Sequence, residues 1–108
     1  MPKYLLRGAY SVEGNKGILK GGGGTARRES INAMVESEGG KLECFYWALG
    51  KDDFYIILDV PDMATIAAVS MKVGSSGAVS RLSSTPLLTA EDVDAACKRD
   101  VKYTPPGQ

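Results

Sequence analysis

Apolar and strand-forming residues run along this chain in short blocks punctuated by glycine, proline and acidic turn residues, and the period changes from block to block. Residues 3–10, Lys-Tyr-Leu-Leu-Arg-Gly-Ala-Tyr, are rich in strand formers and stop at Ser11, with Glu13 and Gly14 behind it, which predicts a strand followed by a turn. Ile18 and Leu19 suggest one short helical piece before Gly21-Gly22-Gly23-Gly24, whose backbone freedom breaks the element. A longer helix is predicted from Thr25, because Ile31, Met34 and Val35 fall at i, i+3 and i+4 while Arg27, Arg28, Glu36 and Glu38 take the solvent side. Gly39-Gly40 closes it.

Two strand-like runs follow, residues 42–49 and 54–60, joined by the turn residues Gly50-Lys51-Asp52-Asp53. Pro61 ends the second run and Asp62 caps a helix over 63–73, whose inner stripe is Ile66, Val69 and Val73 and whose stop is Gly74. A further strand is expected over about 78–85. A last helix starts at Thr89, where Thr89-Ala90-Glu91-Asp92 has the form of a capping box with Asp in place of Glu, and its inward face would be Val93, Ala96 and Cys97. The Pro-rich tail, residues 101–108, is not helical and is either docked or loose. The order is βαββαβ plus one helix, the ferredoxin-like split βαβ pattern of an α+β fold.

Alternation within the two central strands also bears on assembly. If Leu49 paired with Phe54, one sheet face would carry Phe45, Trp47, Leu49, Phe54, Ile56, Leu58 and Val60, and the other Cys44, Tyr46, Ala48, Tyr55, Ile57 and Asp59. Neither set is polar. The first suits the core beneath the helices; the second leaves a patch large for a monomer, and a second copy packed sheet on sheet, as in a dimeric α/β barrel, is its simplest cover. The competing cover is the last helix and tail.

Composition narrows the chemistry. The chain has 108 residues, the size of one domain, with 13 Lys+Arg against 13 Asp+Glu. The interspersed signs oppose nucleic acid and anionic membrane as partners. Absence of His removes imidazole metal ligation and His-based dyads and triads, and the expectation is no metal and no cofactor. Cys44 and Cys97 are too few for a disulfide framework or a thiolate zinc site, and each sits among apolar neighbours as a small buried hydrophobe. No basic and apolar leader and no membrane-length apolar run occurs, so a soluble cytoplasmic protein is expected.

Gly21 to Ala26 satisfies G-x-G-x-x-A, but the glycines do not follow a strand directly and no parallel crevice exists in this topology, so a flexible break is the better reading than a phosphate cradle. Asp52 and Asp53 on a hairpin tip read as solvated turn formers pointing apart. Arg7 and Arg81 lie on strands that the split βαβ order places side by side, and mid-strand arginines belong on the face away from the helices; Asp59 follows the same argument. With Tyr46 and Tyr55, and with Trp47 if a bulge turned its strand over, they would line an intersubunit cavity with a cationic end, suited to a small anionic or aromatic ligand. The plainer reading pairs Arg7 with Asp59 and Arg81 with another carboxylate.

Three blocks occur in order: Gly39-Gly40-Lys41-Leu42-Glu43-Cys44-Phe45-Tyr46-Trp47, Leu49-Gly50-Lys51-Asp52-Asp53-Phe54 and Val60-Pro61-Asp62. Through them the chain resembles the GYD domain family, small and mostly bacterial proteins, over roughly residues 4–85. The resemblance implies a ferredoxin-like fold related to dimeric α/β barrels and a homo-oligomer; it implies no reaction. One departure stands out: the family's Gly and Asp persist as Gly50 and Asp53, but its Tyr is replaced by Asp52.

The leading expectation is a homo-oligomer of one domain, residues 1–108, binding a small ligand between subunits. The alternatives are a cofactor-independent oxygenase or isomerase acting on an aromatic substrate, with Arg7 or Arg81 polarising it and Asp59, Asp53 or a Tyr as base, and a purely structural or interaction module with a filled interface.

Overall fold

The computed structural model describes residues 1–108. Its elements are β1 (Lys3–Tyr10), α1 (Val12–Lys20), α2 (Gly23–Ser37), β2 (Lys41–Trp47), β3 (Phe54–Asp59), α3 (Met63–Ser75), β4 (Val79–Leu87) and α4 (Ala90–Cys97). The strands form one sheet in the order β2-β3-β1-β4, antiparallel throughout. This is the ferredoxin-like α+β arrangement expected from the order of elements. No helix is long and apolar enough to cross a membrane.

Burial follows the alternation. Tyr4, Leu6 and Tyr10 of β1, Phe45 of β2 and Phe54, Ile56 and Leu58 of β3 are buried on one face, against Ile31 and Val35 of α2 and Ile66 and Val69 of α3. The helix stripes are therefore the ones the i, i+3, i+4 spacing marked. Leu58, Val35 and Val60 are fully enclosed.

The helical region before β2 differs from the expectation. α1 is a nine-residue helix, longer than a turn at Ile18 and Leu19, because the Ser11 side chain caps it by accepting from Gly14 N at 3.0 Å while Ser11 N donates to Ala78 O at 3.0 Å. Tertiary anchoring outweighs the poor helix propensity of Gly14 and Gly17. The break is confined to Gly21 and Gly22; Gly22 and Gly23 adopt φ of 96° and 78°, which L side chains resist, and α2 already begins at Gly23 rather than at Thr25. At the other end Glu38 caps α2 and Gly39, at φ 80°, turns the chain into β2.

The hairpin register also differs. Trp47, not Leu49, pairs with Phe54, and an extra residue between Leu42 and Cys44 places a bulge at Glu43. Leu49 stands fully exposed in the loop instead of in the core. α3 runs past Gly74 to Ser75 and β4 reaches Leu87.

α4 carries the capping box in full, with Asp92 N donating to Thr89 Oγ1 at 3.1 Å and Thr89 N to Asp92 Oδ2 at 3.0 Å. No residue of it is buried. Val93, Ala96 and Cys97 form no inward face, and Cys97 is exposed where burial was expected. The helix and tail project from the body: the radius of gyration is 17.0 Å, against about 13 Å for a compact chain of this size. They do not cover the open sheet face either, which keeps Tyr46 at 69% exposure.

Candidate functional site

Strand register lays out the open face in rows. Leu87, Lys3, Asp59 and Lys41 lie side by side at one end; Thr85, Leu5, Ile57 and Cys44 come next; then Ser83, Arg7, Tyr55 and Tyr46; and Arg81 with Ala9 close the other end. Arg7, Tyr55 and Tyr46 are thus direct neighbours across three strands, as the alternation of both strands required. Asp59 belongs to the opposite end, four residues along the strand and roughly 13 Å away. There it accepts from Lys3 Nζ at 3.0 Å, while Glu43 on the bulge holds the same ammonium at 3.3 Å. Asp59, foremost, then Glu43 raise the Lys3 pKa. The expected Arg7–Asp59 pair does not form, because the register separates them.

The carboxylate between the arginines is Asp52. It is only 7% exposed. Arg81 donates to its Oδ1 and to the carbonyl of Lys51, and Arg7 Nη1 lies 3.9 Å from its other oxygen. The Arg81 guanidinium, aided by Arg7, holds the Asp52 carboxyl below the usual carboxylate range. Asp52 and Asp53 do point apart, but neither is the solvated tip residue expected of a hairpin. Asp53 N donates to Gly8 O at 2.7 Å, and the Asp53 carboxylate accepts from Tyr10 N at 2.9 Å, so the loop folds back across the end of β1. That fold-back is a long-range event with no local sequence signature. The one available signal was the departure at Asp52, a charge where the resembled family has Tyr.

Charge is consequently unevenly used. Arg81 is held from two sides, whereas Arg7, with its side chain half exposed, has one long ion pair and keeps most of its donors. Trp47 is not part of this face. It points to the helix side, stacked on Phe45 at a 4.1 Å centroid distance, and its Nε1 donates to the Tyr10 hydroxyl at 3.1 Å. The bulge at Glu43 lies before Cys44, so it leaves the facing of Trp47 unchanged.

No group of three or more Cys, Asp or Glu side chains is placed to hold a metal ion. Neither the curated proteins nor the solved structures contain a significant match to this sequence. The GYD domain matches residues 4–97, from the first buried residue of β1 to the last residue of α4. Covering every strand and helix of the sheet and its packing, that match means the chain belongs to the GYD domain family.

Proposed function

We propose that this GYD domain protein works as a homodimer closed face to face over the open side of its sheet, and that Arg7 at that interface takes a small anionic or aromatic ligand. The observation that carries the reading is the face itself. Leu5, Ile57, Cys44, Tyr55 and Tyr46 form a contiguous, incompletely covered apolar surface with a half-exposed arginine in its midst, and a patch of that kind marks an interaction site. Charge permits a second copy as its cover: at one end Lys3 and Lys41 are balanced by Asp59 and Glu43, so two copies meet there without net repulsion, while Arg7, half exposed toward the other end, keeps donors for the ligand. Tyr46 and Tyr55 would wall the ligand beside Arg7, and Arg81, tied to Asp52, would stiffen the end of the chamber. Trp47 and Asp59 have no part in it.

Native mass spectrometry of protein purified without added ligand tests this. A dimer carrying extra mass that is lost on denaturation supports both halves of the proposal. A ligand-free dimer that Ile57→Glu converts to monomer keeps the assembly and makes the face a purely structural interface. A wild-type monomer refutes the reading.

A further inference from the structure

On the opposite side of the sheet, α1 and α2 stand away from the end of α3 and the start of β4, leaving a cleft of about 570 Å³. Cavities of several hundred Å³ with apolar walls and few polar groups are the usual form of small-molecule sites. Unlike the chamber proposed on the open face, this one is made by a single chain. We infer that it binds a small aromatic carboxylate, its anion held by Arg27 and the Tyr10 hydroxyl and its ring lying against Ile18 and Met34.

Four observations meet here. Arg27 lines both the cleft and the apolar hollow of about 20 Å³ beneath it, with its guanidinium close enough to act on the Tyr10 hydroxyl. It is partly buried, yet no carboxylate lies within ion-pair distance of it. A partly buried arginine without a carboxylate partner has given up some of its hydration, and a bound anion would restore an ionic partner. Second, the Tyr10 hydroxyl at the floor accepts from Trp47 Nε1 at 3.1 Å and feels the Arg27 charge. Burial raises its pKa, so it stays protonated, and with Trp47 on its acceptor side its own hydrogen is free to donate to a ligand. Third, Glu13 and Lys72 on the lining carry opposite charges, which leaves Arg27 to set the sign of the site.

The fourth is Gly17 in the wall formed by α1. Glycine weakens a helix, and positive φ accounts for Gly22 and Gly23. Gly17, like Gly74 in α3, has no such backbone reason, but of these two only Gly17 lines the cleft. Its φ is not positive, and a Cβ placed there would meet nothing within 4 Å. What the missing side chain preserves is open space in the cleft.

The test is a titration of protein carrying 13C-labelled isoleucine δ-methyls with 2-naphthoate and with its neutral isostere 2-naphthamide. Ile18 and Ile31 report the cleft, and Ile57 reports the open sheet face. Expected are saturable shifts at Ile18 and Ile31 with Ile57 unmoved, and affinity for the amide at least about tenfold weaker, since an ionised acceptor makes the stronger bond to guanidinium. Arg27→Gln should weaken naphthoate by about the same factor and the amide much less, so that the difference between the two ligands largely disappears. Gly17→Leu, a good helix former projected into the cleft, should abolish both. Should that variant fail to fold, the acid–amide comparison and Arg27→Gln decide alone. Shifts confined to Ile57, equal affinity for acid and amide, or no saturable binding by the folded protein would each overturn the inference. Because Ile57 reports the other face separately, dimerisation through that face can fail without touching this result.

Discussion

Two glycine-to-alanine substitutions should move stability in opposite directions, and the contrast tests the reading of α1 directly. Gly17 lies inside α1 with ordinary helical φ and open space where a Cβ would project. Alanine there gains helix propensity and restricts the unfolded chain, worth about 0.5–1 kcal/mol. For a domain near this size, 1 kcal/mol corresponds to roughly 4–8 °C in Tm, so Gly17→Ala should melt about 2–8 °C higher. Gly40, between α2 and β2, is the opposite case. A Cβ there would fall 2.5 Å from the Asp59 carbonyl oxygen and 2.8 Å from Val35 Cγ1. Val35 is fully buried, so neither neighbour can yield without moving the core. Overpacking of this kind costs about 1–3 kcal/mol, and Gly40→Ala should lose at least 4 °C. Thermal melts by far-UV circular dichroism, with urea curves to confirm that the m-value is unchanged, measure both. A Gly17→Ala protein that melts at or below wild type would refute the argument, because position 17 would then be in contact with something and its glycine would be structural.

Three further outcomes are expected. The Asp52 pKa is lowered in the fold, chiefly by Arg81, so its contribution to stability is fully present above the unfolded carboxylate value near pH 4 and is lost as pH falls through the lower folded value; Asp52→Asn should flatten acid denaturation in that window, and an unchanged acid limb would disprove the role. Truncation after Leu87 removes only exposed residues, so Tm should stay within about 1–2 °C, and a larger fall would show α4 docked in solution. Cys97 is exposed and Cys44 only partly so, on the open face; with a thiol reagent such as DTNB, Cys97 should react first and Cys44 slowly, and dimerisation through that face should slow Cys44 further.

How far the candidate site was legible depended on range. Local alternation put Tyr46 and Tyr55 on one face and Phe45 and Trp47 on the other, and it did so despite the wrong register at Leu49, because a shift of two residues preserves the facing of every side chain. The placement of Arg7 and Arg81 on neighbouring strands followed from element order. Their shared partner did not. Asp52 reaches them only because the β2–β3 loop folds across the end of β1 through Asp53, and nothing between residues 50 and 53 encodes which distant backbone that loop will meet. Likewise Tyr10, Arg27 and Gly17 are far apart in the chain, and only packing brings them to one cleft.

The sequence alone determined the order of strands and helices, the inner stripes of α2 and α3, the caps at Asp62 and Thr89 and the absence of imidazole chemistry, since each rests on interactions within a few residues or on composition. The tertiary structure decided that α1 is a full helix despite two glycines, that α4 projects without a buried face, and that Asp52 is buried. These depend on contacts between residues tens of positions apart, where the free energy of a long-range hydrogen bond or ion pair overrides a local preference of about 1 kcal/mol or less.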